Sequence, residues 1–180
     1  MTTVLVILPE GFEEIEAVTP IDLMRRAGVE VTIAALAEGI HVTGRSGLTL
    51  HATTSLTAVP EDQTFDLLLI PGGPGVRRLR DDPRVLRRVV AQTQGGGWLA
   101  AICAAPTVLN DAGVLDGRSF TAHPSVAGEL PSARIGERLV IDGKLITSRG
   151  AGTTLEFGLQ LVEALAGPSK AREIASAIAT

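Results

Sequence analysis

The residue that first invites chemistry is Cys103, the only cysteine among 180 residues. A single thiol cannot close an intrachain disulfide, and no cysteine-based zinc site can be built from it. Its setting is Ala101-Ile102-Cys103-Ala104-Ala105, a small–x–nucleophile–x–small pattern between an apolar run and a helical stretch. That pattern is the mark of a nucleophile elbow, a sharp strand-to-helix turn that lifts a side chain above a sheet. Small neighbours let the two backbones pass closely, and Pro106 is tolerated in a first helical turn. A cysteine at a helix N-terminus meets the positive end of the dipole, so the sequence predicts a thiolate-favouring site. An inert buried cysteine is the competing reading.

Other residues could serve such a thiol. Gly72 and Gly73 follow an apolar run, and glycine lets backbone N–H groups approach a reacting oxygen. With the N–H of Ala104 they would form an oxyanion hole; alone they are a tight turn. Glu13, Glu14 and Glu16 open a helical stretch, where acids are favourable in any case. Glu13 and Glu14 are read as first-turn acids only. Glu16 can turn toward the sheet, where burial beside a thiolate would keep its carboxyl neutral and able to donate a proton. His123 precedes Pro124 and is a candidate base for Cys103. His41 and His51 fall in a short hairpin and are expected to be exposed. The run Arg77, Arg78, Arg80, Arg84, Arg87, Arg88 is broken by Asp81 and Asp82 and carries no aromatic residue, so it reads as a solvated helix face.

The elements that must position these residues alternate between strand and helix. Strands are expected at 4–8, 30–35, 67–70, 98–102 and 119–122. Hairpins are expected over 41–51 and around Asp142-Gly143. A helix over 13–27 contains Pro20, which predicts a kink or break. Asp82 with Pro83 caps a helix to about Gln94. Thr153 and Glu156 form a predicted capping box for a helix to Ala166, and a last short helix follows. Continuous apolar strands separated by helices predict a mostly parallel sheet covered on both faces. In such sheets the site lies beyond the carboxyl ends of the strands, where Glu16, Gly72-Gly73, Cys103 and His123 should meet.

Composition bounds the rest. The length fits a single domain over residues 1–180. The net charge of −4 calls for neither nucleic acid nor an anionic membrane. The longest apolar run, Trp98–Ala105, is far short of the roughly 20 residues of a membrane span. The first residues lack a basic n-region and a cleavage site, so a cytoplasmic address is expected. Pro9-Glu10-Gly11-Phe12 stands where a dinucleotide fingerprint would be, so no nicotinamide cofactor is expected.

In this order the chain resembles the ThiJ/PfpI superfamily, and within it the branch of the Parkinson-disease-associated protein deglycase. The resemblance rests on Glu13-Glu14-Ile15-Glu16, Asp22–Gly28, Pro71-Gly72-Gly73, Ala100–Pro106, Thr121–Pro124, Thr147–Gly150 and Phe157-Gly158-Leu159. It implies a flavodoxin-like (Rossmann-like) α/β fold and a homodimer. It assigns Cys103 as the reactive cysteine, Glu16 as the acid on its sulfur, and His123 as the nearby histidine. Gly73 and Ala104 become backbone donors, and Arg26 and Arg45 arginines that hold an anion near the dimer interface. It implies glyoxalase III-type conversion of methylglyoxal to lactate, or deglycation of proteins, without metal or cofactor, as protection against carbonyl stress. Redox sensing or chaperone activity through Cys103, and another small-molecule hydration, are the alternatives. Ala104 stands where the superfamily's peptidases carry histidine, which argues against peptidase activity. Ala105 and Ala151 replace the glycine and proline common in the branch, which leaves the pocket wall and the substrate open.

Overall fold

A computed structural model describes residues 1–180. Its centre is a seven-stranded sheet built from β1 (Thr3–Leu8), β2 (Glu30–Ala35), β5 (Thr54–Ser55), β6 (Leu67–Ile70), β7 (Trp98–Ile102), β8 (Leu139–Asp142) and β9 (Leu145–Ser148). The spatial order is β5-β2-β1-β6-β7-β9-β8. Every pairing is parallel except β8 with β9. A separate antiparallel ribbon joins β3 (His41–Thr43) to β4 (Thr49–His51).

The apolar runs are continuous because both sheet faces are covered. Val4, Val6 and Leu8 face one core, and Leu5 and Ile7 face the other. Leu67 and Leu69 alternate with Leu68 and Ile70 in the same way. The first core is closed by α1 (Glu14–Arg26), α5 (Thr154–Ala166) and α6 (Pro168–Ala177). The second is closed by α2 (Val76–Arg80), α3 (Pro83–Gln94) and α4 (Pro106–Asp111). This is the flavodoxin-like α/β architecture the sequence implies. No helix is long and apolar enough to cross a membrane.

Three expectations need correction. Pro20 does not break α1, which runs unbroken from Glu14 to Arg26 with Pro20 buried inside it. Residues 119–122 form no strand. Both edges of β9 are already occupied by β7 and β8, and the N–H groups of Ser119 and Thr121 go to side chains while the Phe120 carbonyl accepts from the Arg134 N–H. Ser119 N–H donates to Asp142 Oδ2 at 2.7 Å, and Thr121 N–H to Thr147 Oγ1 at 2.9 Å. Thr153 and Glu156 do not form a capping box for α5. The Thr153 hydroxyl lies 2.6 Å from Ser148 Oγ and donates to the Gly150 carbonyl at 2.8 Å, while Glu156 pairs with Arg138.

The first turn of α1 must reach the sheet rim at a fixed height, and its contact with α5 sets that height. A Cβ on Gly158 would lie 2.6 Å from Leu23 Cδ1 and 3.2 Å from Pro20 Cα. The two helices therefore meet at a point that has no room for a side chain. Gly158→Val is expected to destabilise the fold by about 1–3 kcal/mol through overpacking, read as a lower urea midpoint with unchanged m-value.

Candidate active site

β1, β6 and β7 lie side by side, so the loops after their carboxyl ends share one rim. The loop after β1 leads into α1. There the Glu13 side chain accepts from the Glu16 N–H at 2.8 Å and caps the helix. This places Glu16 in the first turn, 1% exposed and turned toward the sheet. Its Oε2 accepts from the Gly72 N–H at 3.0 Å. A Cβ at Gly72 would lie 2.6 Å from Cys103 Cβ and would meet Glu16 Oε2 as well. Only glycine fits between the acid and the thiol.

Cys103 has φ of 66°, left-handed backbone that a side chain rarely adopts. Such a conformation costs on the order of 1–3 kcal/mol and persists only when its surroundings hold it. Here its N–H donates to the Ser148 carbonyl at 2.9 Å, and its carbonyl accepts from the His123 N–H at 2.8 Å. The turn therefore is the elbow the sequence predicts. It leaves the half-buried sulfur beside the Glu16 carboxyl, close enough that a Cβ on Gly72 would touch both Glu16 Oε2 and Cys103 Sγ, with the N–H groups of Ala104 and Gly73 near it.

Burial pushes the Glu16 carboxyl up to about 7, and the charge of Glu13 adds to this. The bond to Cys103, the Gly72 N–H and the Arg45 guanidinium pull the other way. Burial, and then the Glu16 carboxylate, push the Cys103 thiol up to about 12 against the pull of the Ala104 and Gly73 N–H groups. The expected thiolate-favouring position is thus not met. α4 is only six residues long and begins at Pro106, so Cys103 lies outside it. The adjacent carboxylate outweighs the backbone donors. Two acids in one dry pocket cannot both ionise, so they act as one coupled unit. Its first proton leaves near neutral pH and its second is retained. A proton on Glu16 removes the charge that keeps the sulfur protonated.

His123 is near but is not paired with the thiol. Its Nδ1 bonds to Ser125 Oγ at 2.8 Å, and the only bond it makes to Cys103 is through the backbone. Its ring edge borders the pocket: a Cβ on Gly150 would lie 3.2 Å from His123 Cδ2 and 3.9 Å from Glu16 Oε1. Arg45 is exposed and its charge acts on Glu16. Arg26 is not brought to this chain's thiol. It sits in the last turn of α1, paired with Asp22 at 2.7 Å, about 15 Å along the helix from Glu16. Ala105 is buried at the start of α4 and Ala151 opens a short 3-10 turn.

Glu14 does more than its position in a first turn suggests. It is 6% exposed, and its Oε1 accepts from the Ser46 N–H at 2.7 Å. Burial pushes its carboxyl up, but the N–H groups of Glu14, Ser46 and Leu48 outweigh this and hold it below the usual range. It thereby ties the β3–β4 turn, and Arg45 with it, to the start of α1. Nothing in the sequence pattern marks that role. Three arginines of the run form ion pairs. Arg80 pairs with Asp111 and Glu129, Arg84 with Asp82, and Arg87 with Glu61.

A cleft of about 510 Å³ opens beside the donors, bordered by Gly73, Ala104 and Arg77. Larger hollows of about 660 and 710 Å³ lie elsewhere, one at the opposite ends of the strands around Thr3, Asp66 and Trp98, the other along α3. Neither is lined by Glu16, Gly72, Gly73, Cys103, Ala104 or His123, so the smaller cleft, which Gly73 and Ala104 border, is the relevant one.

A strained cysteine elbow at the carboxyl rim of a flavodoxin-like sheet, set against a buried acid, defines a recognisable class of α/β proteins. Residues 2–164 match the DJ-1/PfpI family model, and the chain belongs to that family. Protein dj-1beta of Drosophila melanogaster is 41% identical over 178 residues, covering 97% of this chain and 95% of that protein. The crystal structure of Drosophila melanogaster DJ-1beta superposes with a TM-score of 0.95 at 40% identity, covering 99% of this chain and 98% of that one. The glutathione-independent glyoxalase DJR-1.2 of Caenorhabditis elegans is 34% identical over 176 residues, covering 92% of this chain and 89% of that protein. Protein DJ-1 homolog A of Arabidopsis thaliana is 37% identical over 179 residues; the match covers 97% of this chain but only 45% of that longer protein.

Two outcomes follow from the coupled pair. Alkylation of Cys103 by iodoacetamide should accelerate as pH rises through about 7, and Glu16→Gln should abolish that step. An identical pH profile in both proteins would contradict the coupling. The raised Glu16 value also enters folding. Its folded value of about 7 exceeds the ordinary 4.5, so its contribution is complete below 4.5 and is lost as pH rises through 7. The wild type should therefore lose on the order of 3 kcal/mol of urea-measured stability across that window, and Glu16→Gln should lack this slope.

Proposed function

We propose that this protein is a cofactor-independent thiol enzyme acting on small reactive carbonyls. The reaction is glyoxalase III-type conversion of methylglyoxal to lactate, with early glycation adducts on proteins as related substrates. The observation that carries this reading is the buried Glu16 carboxyl set against the Cys103 sulfur at a left-handed elbow, across a Gly72 that leaves no room for a side chain between them. The similarity to a relative named as a glutathione-independent glyoxalase supports the same chemistry.

In this mechanism Glu16 takes the pair's proton and Cys103 attacks the aldehyde carbon as thiolate. The N–H groups of Gly73 and Ala104 stabilise the oxyanion of the resulting hemithioacetal. Glu16 passes its proton to that oxyanion, giving the neutral hemithioacetal, and as the resulting carboxylate it acts as base and then as acid. It removes the proton from C1 and returns one at C2, through an enediol-like species. The product is a thioester of lactate on Cys103. Water attacks it, lactate leaves, and the thiol regains its proton. The internal transfer balances the reaction: C1 is oxidised as C2 is reduced, so no nicotinamide is needed. His123 borders the pocket and assists without bonding the sulfur. Arg45 attracts anionic groups to the rim. Ile15, Val18 and Leu48 are exposed around the same rim, which supports pairing of two copies there as a homodimer.

A second reading is redox sensing with holdase activity. The half-buried state of the sole thiol favours it, because the sulfur is reachable by peroxide. With no second cysteine, only direct oxygenation of Cys103 is available. The readings separate in one experiment, lactate formation from methylglyoxal by the reduced protein. Cys103→Ala and Glu16→Gln are each expected to lower turnover at least about a hundredfold. Undiminished lactate formation in either variant would overturn the enzymatic mechanism.

A further inference from the structure

Away from the thiol, one pair of metal-ligating side chains stands together and serves no purpose described so far. In the β3–β4 ribbon His41 lies opposite His51, Val42 opposite Leu50 and Thr43 opposite Thr49. The Ala52 N–H donates to the Ile40 carbonyl at 2.6 Å, and the Gly44 N–H to the Leu48 carbonyl at 2.8 Å. Hydrogen-bonded and non-hydrogen-bonded pairs alternate along an antiparallel ladder. His41–His51 and Thr43–Thr49 are therefore non-hydrogen-bonded pairs, where facing side chains come closest. The contacts agree. The threonine hydroxyls are 3.2 Å apart, and the imidazole centroids are 4.6 Å apart with planes inclined by 21°.

The two faces of this ribbon differ in kind. Val42 is 2% exposed and packs into the core, which fixes the ribbon on the body of the protein. The other face presents both histidines to solvent. Two imidazoles are thus held opposite one another on backbone that folding has already ordered.

We propose that His41 and His51 form a bidentate site for a divalent transition ion of the Zn²⁺, Ni²⁺, Cu²⁺ class. Imidazole nitrogen is a preferred ligand of these ions, and rotation of the two exposed, stacked rings about their side-chain bonds would bring one nitrogen of each to a common ion without a change of strand register. No third histidine, cysteine or carboxylate stands beside the pair, so water would fill the remaining coordination positions and the site would be an open one. Chelation gains because the cost of bringing the two ligands together is already met by the hairpin. The site lies at the open end of the ribbon whose turn bonds Ser46 to Glu14 and presents Arg45 beside Glu16. A bound ion would clasp that ribbon and stiffen the element that carries Arg45.

The test titrates Ni²⁺ alone into the full chain by calorimetry, in the wild type, His41→Asn, His51→Asn, Cys103→Ser and His123→Asn. One ion per chain is expected, with affinity at least about tenfold weaker in each hairpin variant and unchanged in the other two. The melting temperature should rise with Ni²⁺ in the wild type and stay fixed in His41→Asn. The proposal fails if binding survives both hairpin substitutions. It also fails if binding disappears in Cys103→Ser, if one ion binds per two chains, or if no ion binds. None of these outcomes depends on whether the protein turns over methylglyoxal.

Discussion

A buried carboxyl and a thiol that cannot both be charged are the constraint around which this protein is arranged. Glu16 is almost wholly removed from water, yet it is one of the least hydrophobic side chains in the core. It is tolerated because the Gly72 N–H donates to it and burial holds its carboxyl in the protonated range up to about 7. A side chain at Gly72 would separate the two acids, and a relaxed backbone at Cys103 would turn the sulfur away. The strain at Cys103 is held by bonds to Ser148 and His123, so neighbouring segments over-determine the elbow. The proton between Glu16 and Cys103 is then a switch. On sulfur it leaves an inert thiol; on oxygen it leaves a nucleophile with backbone donors beside it.

The scaffold serves this arrangement at several points. Adjacency of β1, β6 and β7 brings acid, glycine pair and cysteine to one rim from distant parts of the sequence. The α1–α5 contact at Gly158 fixes how far Glu16 reaches. Arg80 binds Asp111 at 2.6 Å and Glu129 at 2.7 Å, and so joins α2, α4 and the segment after His123. Each of those three segments follows a residue of the site. The ion pairs are partly exposed, so their worth lies in holding these segments in register more than in net stability.

Much of this was legible in the sequence because its physical causes are local. Leu67–Ile70 and Trp98–Ile102 read as buried strands because apolar residues fill both faces. Asp82-Pro83 reads as a helix start because both residues suit it intrinsically. The elbow reads from small residues around Cys103. What escaped depends on tertiary competition. Ser119–Ala122 has strand composition, but the side chains of Asp142 and Thr147 take the N–H groups of Ser119 and Thr121 that a ladder would use. Thr153 has a capping hydroxyl that Ser148 and Gly150 claim first. The Cys103 thiol was expected to be lowered by a helix, but the carboxylate of Glu16 sits closer than any helical dipole. Glu14 resembles any first-turn acid until the β3–β4 turn folds onto it. Arg26 and Arg45 look equivalent as charges, yet opposite ends of α1 and its neighbouring loop separate them.

The ionisation of Glu16 itself tests the account most directly. The carboxyl carbon of Glu16 can be followed by ¹³C NMR through a pH titration of the reduced protein, with Glu16→Gln to assign the resonance. The coupled pair predicts a midpoint near 7 and a shift of that midpoint when Cys103 is replaced by serine. A midpoint at the ordinary 4.5, unmoved by the replacement, would show an isolated carboxylate and would contradict the shared proton on which the rest depends.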